Sequence, residues 1–97
     1  MENFKSRIKF EVLESTADVM KSLAHPVRLA IIDLLKDNPT LSVTNIQESL
    51  NIEQAAASYH LLQMKSKGIL RSSKKANMVF YRIENKKALK ALELFVD

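Results

Sequence analysis

Apolar residues recur at helical spacing along most of this chain and switch to alternate-residue spacing only in its last third. From Phe4 to Leu23 they form two offset series, Phe4, Ile8, Val12 and Val19, then Phe10, Leu13, Ala17 and Met20. This predicts one long first helix with more than one apolar side. His25-Pro26 interrupts it, and Pro26 suits the first turn of a second helix because the N–H it lacks would be unpaired there. The second helix runs to about Lys36 on Val27, Leu29, Ile31, Ile32, Leu34 and Leu35. Asp37-Asn38-Pro39-Thr40 ends it, since a residue before proline is pushed out of the helical region.

From Ser42 to Leu50 a short helix is predicted, with Ser42 as N-cap and Val43, Ile46 and Leu50 facing inward. Asn51-Ile52 makes a tight connection to a further helix over about Gln54 to Lys67, which buries Ala57, Leu61 and Met64 and stops at Gly68. A short helix, a turn and a second helix with small residues near its start is the helix-turn-helix arrangement. Beyond Gly68 two strand-like runs, Ile69–Lys74 and Met78–Ile83, are joined by Lys75-Ala76-Asn77, and Asn77 tolerates the positive φ of such a turn. A last helix follows over about Asn85 to Val96. The order predicts a mainly α fold with a small β-hairpin, a winged helix-turn-helix.

At 97 residues the chain is read as one domain, 1–97, with the helix-turn-helix over 42–67 and the wing hairpin over 69–83. Residues 1–23 and 85–97 are read as dimerisation helices, because the last helix carries Ala88, Leu89, Ala91, Leu92, Leu94, Phe95 and Val96 and has almost no polar side. Packing the end helices of two copies about a two-fold axis buries that surplus. Phe4, Ile8, Val12, Leu89, Leu92 and Phe95 are the candidate interface residues. The competing reading folds the last helix back on its own core.

Charge sharpens the picture. Residues 54–82 hold six lysines and arginines (Lys65, Lys67, Arg71, Lys74, Lys75, Arg82) and no acid, whereas the other 68 residues hold nine bases against eleven acids. Concentrated positive charge suits a polyanion, because phosphates neutralised by Lys or Arg release counterions. Double-stranded DNA is the partner this favours; a solvated basic face without a ligand is the plainer reading. For major-groove contact the candidates are Gln54, which pairs bidentately with adenine, and Ser58, while Tyr59 and His60 reach either bases or phosphates. Lys65 suits the phosphate backbone, as does Arg28 at the start of the second helix, and Lys74, Lys75 and Asn77 at the wing tip suit either the backbone or the minor groove. Plainer roles exist for each: His60 as a half-buried ring, Arg28 in a surface ion pair, the wing lysines guarding a strand edge. Glu53, before the recognition helix, either caps it, accepts from cytosine or repels phosphates. A dimer would set two recognition helices about 34 Å apart, which predicts an inverted-repeat operator.

The chain has no cysteine, hence no disulfide, thiolate metal site or thiol sensor. Ser58 and His60 are two apart on a helix and point about 200° from one another, so they make no nucleophile and base pair. With no glycine-rich phosphate loop or acid pair either, neither enzymatic activity nor a cofactor is expected. No secretory or membrane-spanning run appears, which fits a cytoplasmic location. His25 and His60 are the only imidazoles, and no register of the sequence makes them neighbours.

Three segments, Leu23-Ala24-His25-Pro26-Val27-Arg28-Leu29 with its apolar continuation to Leu35, Leu41-Ser42-Val43, and Ala57-Ser58-Tyr59-His60-Leu61-Leu62-Gln63-Met64 running to Leu70, resemble the ArsR/SmtB family of bacterial repressors. The resemblance covers roughly residues 17–83. It implies a dimeric winged-helix protein that occupies operator DNA, blocks transcription and leaves when an effector binds. In many members the effector is a metal ion, held by cysteines near the helix matching residues 43–50 or by His and acidic residues of the terminal helix. Here Val43, Thr44 and Asn45 stand at the first place, and the terminal helix offers Glu93 and Asp97 without histidine. No metal site is therefore expected, and a small-molecule or protein effector stays open. Two other readings remain: a winged-helix module that docks an acidic protein or membrane phosphate without an operator, and a DNA-binding activator or effector-independent regulator.

Overall fold

A computed structural model describes residues 6–96. Its elements run α1 (Phe10–Leu23), α2 (Pro26–Asp37), β1 (Leu41–Ser42), α3 (Val43–Leu50), α4 (Gln54–Ser66), β2 (Leu70–Lys75), β3 (Met78–Ile83) and α5 (Lys86–Phe95). The first helix begins at Phe10, later than the apolar series implies. Lys9 is extended and offers no side-chain cap, and before it the Ser6 hydroxyl accepts from the Ile8 N–H at 3.1 Å. Ile8 thus precedes the helix, and Phe4 lies outside the described residues.

Each later boundary has a local cause. His25 is extended and its Nδ1 accepts from the Val27 N–H at 3.1 Å, so the break before Pro26 is a helix cap as well as a proline effect. At the other end of α2 the Asn38 side chain donates to the Leu34 carbonyl at 3.0 Å. Ser42 caps α3 reciprocally: its Oγ accepts from the Asn45 N–H at 3.0 Å while its own N–H donates to Asn45 Oδ1 at 3.2 Å. After α4, Gly68 takes φ +75°. The Ile69 and Gly68 N–H groups reach back to the Met64 and Lys65 carbonyls at 2.9 and 3.0 Å, the paired bonds of a left-handed helix stop. Asn51, at φ 52°, ends α3 likewise.

The wing is a three-stranded antiparallel sheet in the order β1-β3-β2. Its third strand, β1, is the element the sequence reading lacks. Leu41 and Ser42 pair with Tyr81 and Phe80, while β2 and β3 pair from Leu70 with Ile83 to Lys75 with Met78. The core lies where α2, α3 and α4 meet this sheet: Ile31, Ile32, Ile46, Leu61, Met64 and Ile69 are wholly buried. Burying a side chain of this size contributes roughly 1.5–3 kcal/mol. Helix α5 buries Ala88 and lays Leu89 and Leu92 against the same core, yet leaves Leu94, Phe95 and Val96 in solvent. Helix α1 buries only Ser22 and Leu23 and exposes Phe10, Val12, Leu13 and Met20.

Candidate nucleic-acid interface

Helix α4 is held by Ala57, Leu61 and Met64, each wholly buried, and this fixes which face looks outward. Gln54, Ala55, Ala56, Tyr59 and Leu62 are exposed, and Ser58 is half-buried. Glu53 precedes α4 without making a side-chain cap bond, so of its three sequence readings the capping one is overturned. The uncapped N–H groups and the positive end of the helix dipole favour an anion there.

A cleft of about 280 Å³ opens between the starts of α3 and α4 and the wing, lined among others by Thr44, Gln54, Ser58, Asn77 and Met78. It brings together Gln54, Ser58 and Asn77, which sequence reasoning selected from two different elements. Thr44 and Met78 were missed. Their adjacency depends on β1 pinning the start of α3 to β3, and a two-residue strand carries no periodic signal.

The basic residues are distributed less simply. Strand alternation sends Lys74 and Lys75 to opposite faces of the wing, and both are exposed. Lys75 shares its face with Arg71 and Arg82, and Arg71 lies 3.7 Å from Glu84. Lys65 is exposed near the C-terminal end of α4, outside the residues that line the cleft. At the wing tip Ala76 and Asn77 take φ 48° and 67°, so Asn77 occupies the conformation expected of it and Ala76 adopts one unfavourable to its side chain.

Two candidate contacts are bonded to one another. His60 is only 8% exposed, and its Nδ1 accepts from Arg28 Nε at 3.0 Å. Arg28 Nη1 also donates to the Ser22 carbonyl at 3.1 Å. The Nδ1 acceptor of His60 is thus spent inside the protomer, and two internal bonds hold the half-buried Arg28. The expectation that the imidazoles lie apart is also corrected, since the His25 and His60 rings stand 4.3 Å from centroid to centroid. Burial, followed by the nearby His25 and Arg28, lowers the His60 pKa from its ordinary value. Only Tyr59 of this group remains open, 57% exposed, with the Arg28 guanidinium carbon 5.9 Å from its ring centre.

The candidate dimer residues fall into two sets. Ile8, Val12 and Phe95 are 49%, 50% and 90% exposed, whereas Leu89 and Leu92 already rest partly on the protomer's own core. Beside Phe95 runs an apolar groove of about 340 Å³ along Met20, Leu23, Leu29 and Ala91. No group of three or more His, Cys, Asp or Glu side chains gathers among the described residues. Glu93 instead lies 3.4 Å from Lys36, and no helix among those residues is long and apolar enough to cross a membrane.

Comparison with known proteins adds to this geometry. Residues 23–73 match the family described as a helix-turn-helix domain. The transcriptional repressor PagR of Bacillus anthracis is 35% identical over 81 residues, covering 84% of this chain and 81% of PagR. Its crystal structure superimposes with a TM-score of 0.81 at 32% identity, covering 91% of this chain and all of that one. HlyU of Vibrio cholerae, described as a transcriptional activator, is 33% identical over 78% of this chain and 69% of its own. A homodimeric winged helix-turn-helix DNA-binding domain from Mycobacterium bovis matches with a TM-score of 0.77 at 28% identity, covering 94% of this chain and 83% of that one. With the recognition helix, the wing and these relatives in agreement, the chain belongs to the ArsR/SmtB family of winged helix-turn-helix, DNA-binding transcriptional regulators.

Proposed function

We propose that this protein is a homodimeric repressor that lays the N-terminal half of α4 in the major groove of an inverted-repeat operator and rests its wing on the flanking phosphates. One observation carries the reading: the cleft that joins Gln54 and Ser58 of α4 to Asn77 of the wing and Thr44 of α3. Side chains that read base edges and groups that meet phosphates are thereby presented together. The exposed apolar stripe of α1 and the end of α5 support the dimer, since a surface of this kind in water calls for a partner. Repression agrees with the name of PagR, and activation is favoured only by the name of HlyU.

The experiment is selection of duplexes from a random-sequence library by the full chain, followed by a reporter carrying the enriched sequence across its promoter. The proposal expects an enriched inverted repeat and reduced reporter output. No enrichment would overturn the operator, and raised output would replace repression by activation.

A further inference from the structure

We infer that Arg28 is a positioning residue for DNA reading: its guanidinium fastens the recognition helix α4 to the end of α1, and the fastening holds only while His60 Nδ1 carries no proton. This inference rests on the DNA-binding reading above and concerns how α4 is held, not which bases it meets.

Arg28 stands in the first turn of α2 and reaches both neighbours at once. Nε donates to His60 Nδ1 at 3.0 Å on α4, and Nη1 donates to the Ser22 carbonyl at 3.1 Å in the last turn of α1. Carbonyls in a last turn lack intrahelical partners and lie at the negative end of the helix dipole, so a cation is favoured there. Two bonds from one rigid planar group fix its orientation, which a lysine does not reproduce. Three helices therefore meet at a single side chain. One of them, α1, bears the uncovered apolar stripe; another, α4, bears the outward reading face, with Tyr59 beside the same guanidinium.

The acceptor must be a neutral imidazole with its proton on Nε2. A second proton would turn Nδ1 into a donor facing the Arg28 N–H, with the His25 ring 4.3 Å away. The titratable or charged groups that face His60 are Arg28 of α2, His25 at the α1–α2 junction and the Tyr59 phenol of α4. Among the described residues no carboxylate pairs with either imidazole. Nothing there offsets the added charge, and the lowered pKa of His60 expresses the same opposition. Acidification thus loosens α4 from α1 and α2.

The test measures, by fluorescence anisotropy between about pH 5 and 8, affinity for the library-selected duplex and for a scrambled duplex of equal composition. Arg28→Lys keeps the charge and loses the fork. It is expected to reduce the ratio of selected to scrambled affinity about tenfold, the worth of one base contact out of place, and to leave scrambled binding unchanged. The wild-type ratio is expected to fall on acidification, whereas His60→Asn, whose Oδ1 accepts without titrating, gives a flat profile. His25→Asn should keep a decline but begin it at higher pH, because one group that opposes the His60 proton is gone. An unchanged ratio in Arg28→Lys, an equal loss on both duplexes, or the same pH profile in wild type and His60→Asn would overturn the inference. Absence of any selected duplex would instead defeat the operator. Imidazole nitrogen NMR of the wild-type chain gives a reading independent of DNA and of variant folding: an unprotonated Nδ1 at neutral pH is expected, and a protonated Nδ1 overturns the proposal.

Discussion

Ser42 stands opposite Phe80 in the pairing of β1 with β3, so the residue that caps the first helix of the helix-turn-helix also ties that helix to the wing. Ser42 is 1% exposed and exchanges two hydrogen bonds with Asn45. Ser42→Ala removes the Oγ that receives the Asn45 N–H. A loss of about 1–2 kcal/mol is expected, the upper part of the range for N-caps because the site is buried. Urea unfolding at constant m-value measures it; an unchanged midpoint contradicts the role assigned to this cap.

Two left-handed positions should respond with opposite signs. Gly68 sits at φ +75° and a Cβ there would meet nothing within 4 Å, so Gly68→Ala costs only the conformational term, about 1 kcal/mol. Ala76 at φ 48° already bears that strain, and Ala76→Gly should gain up to about 1 kcal/mol. Thermal melting of both variants tests the pair. Destabilisation by Ala76→Gly would count against a strained turn.

Stability should fall on the acid side of neutrality because of His60. Its pKa is lowered in the folded chain by burial first, then by His25 and Arg28, so the unfolded chain takes up the proton at higher pH. This contribution is fully present above the unfolded value of about 6.5 and is lost as pH drops from there through the lower folded value. Chemical unfolding at a series of pH values should show a decline that His60→Asn removes. A decline of equal size in the variant assigns the effect to other groups.

Phe95, 90% exposed, borders the apolar groove formed with Met20, Leu23 and Ala91. If that face joins two copies, Phe95→Asp places a charge in a contact that must be dry and shifts the dimer to monomer in sedimentation velocity, with each protomer's core intact. A wild-type chain that sediments as a monomer, or a variant that stays dimeric, would remove this face from the interface.

Much of the architecture was legible because its punctuation is local. Pro26, Pro39 and Gly68 mark helix ends through their own backbone chemistry, and Ala57, Leu61 and Met64 declare the buried side of α4 by spacing alone. Long-range pairings left no such trace. Strand β1 is two residues long and exists only because Leu41 and Ser42 meet Tyr81 and Phe80. The Arg28–His60 bond joins residues 32 apart in sequence, and it ties together two side chains that the sequence offers only as separate ligand contacts. The start of α1 was misplaced because apolar spacing continues upstream of Phe10, while Lys9 provides no side-chain cap to mark the true beginning.

Whether the α4–wing cleft reads duplex DNA is decided by titrating the selected duplex against salt with the wild type, Gln54→Ala and Lys75→Ala. Gln54→Ala should relax preference at one base position by about 1–3 kcal/mol, while Lys75→Ala weakens every duplex alike and lowers the salt slope by about 1. Salt-insensitive binding, or a Gln54→Ala protein with unchanged base preference, would contradict the account.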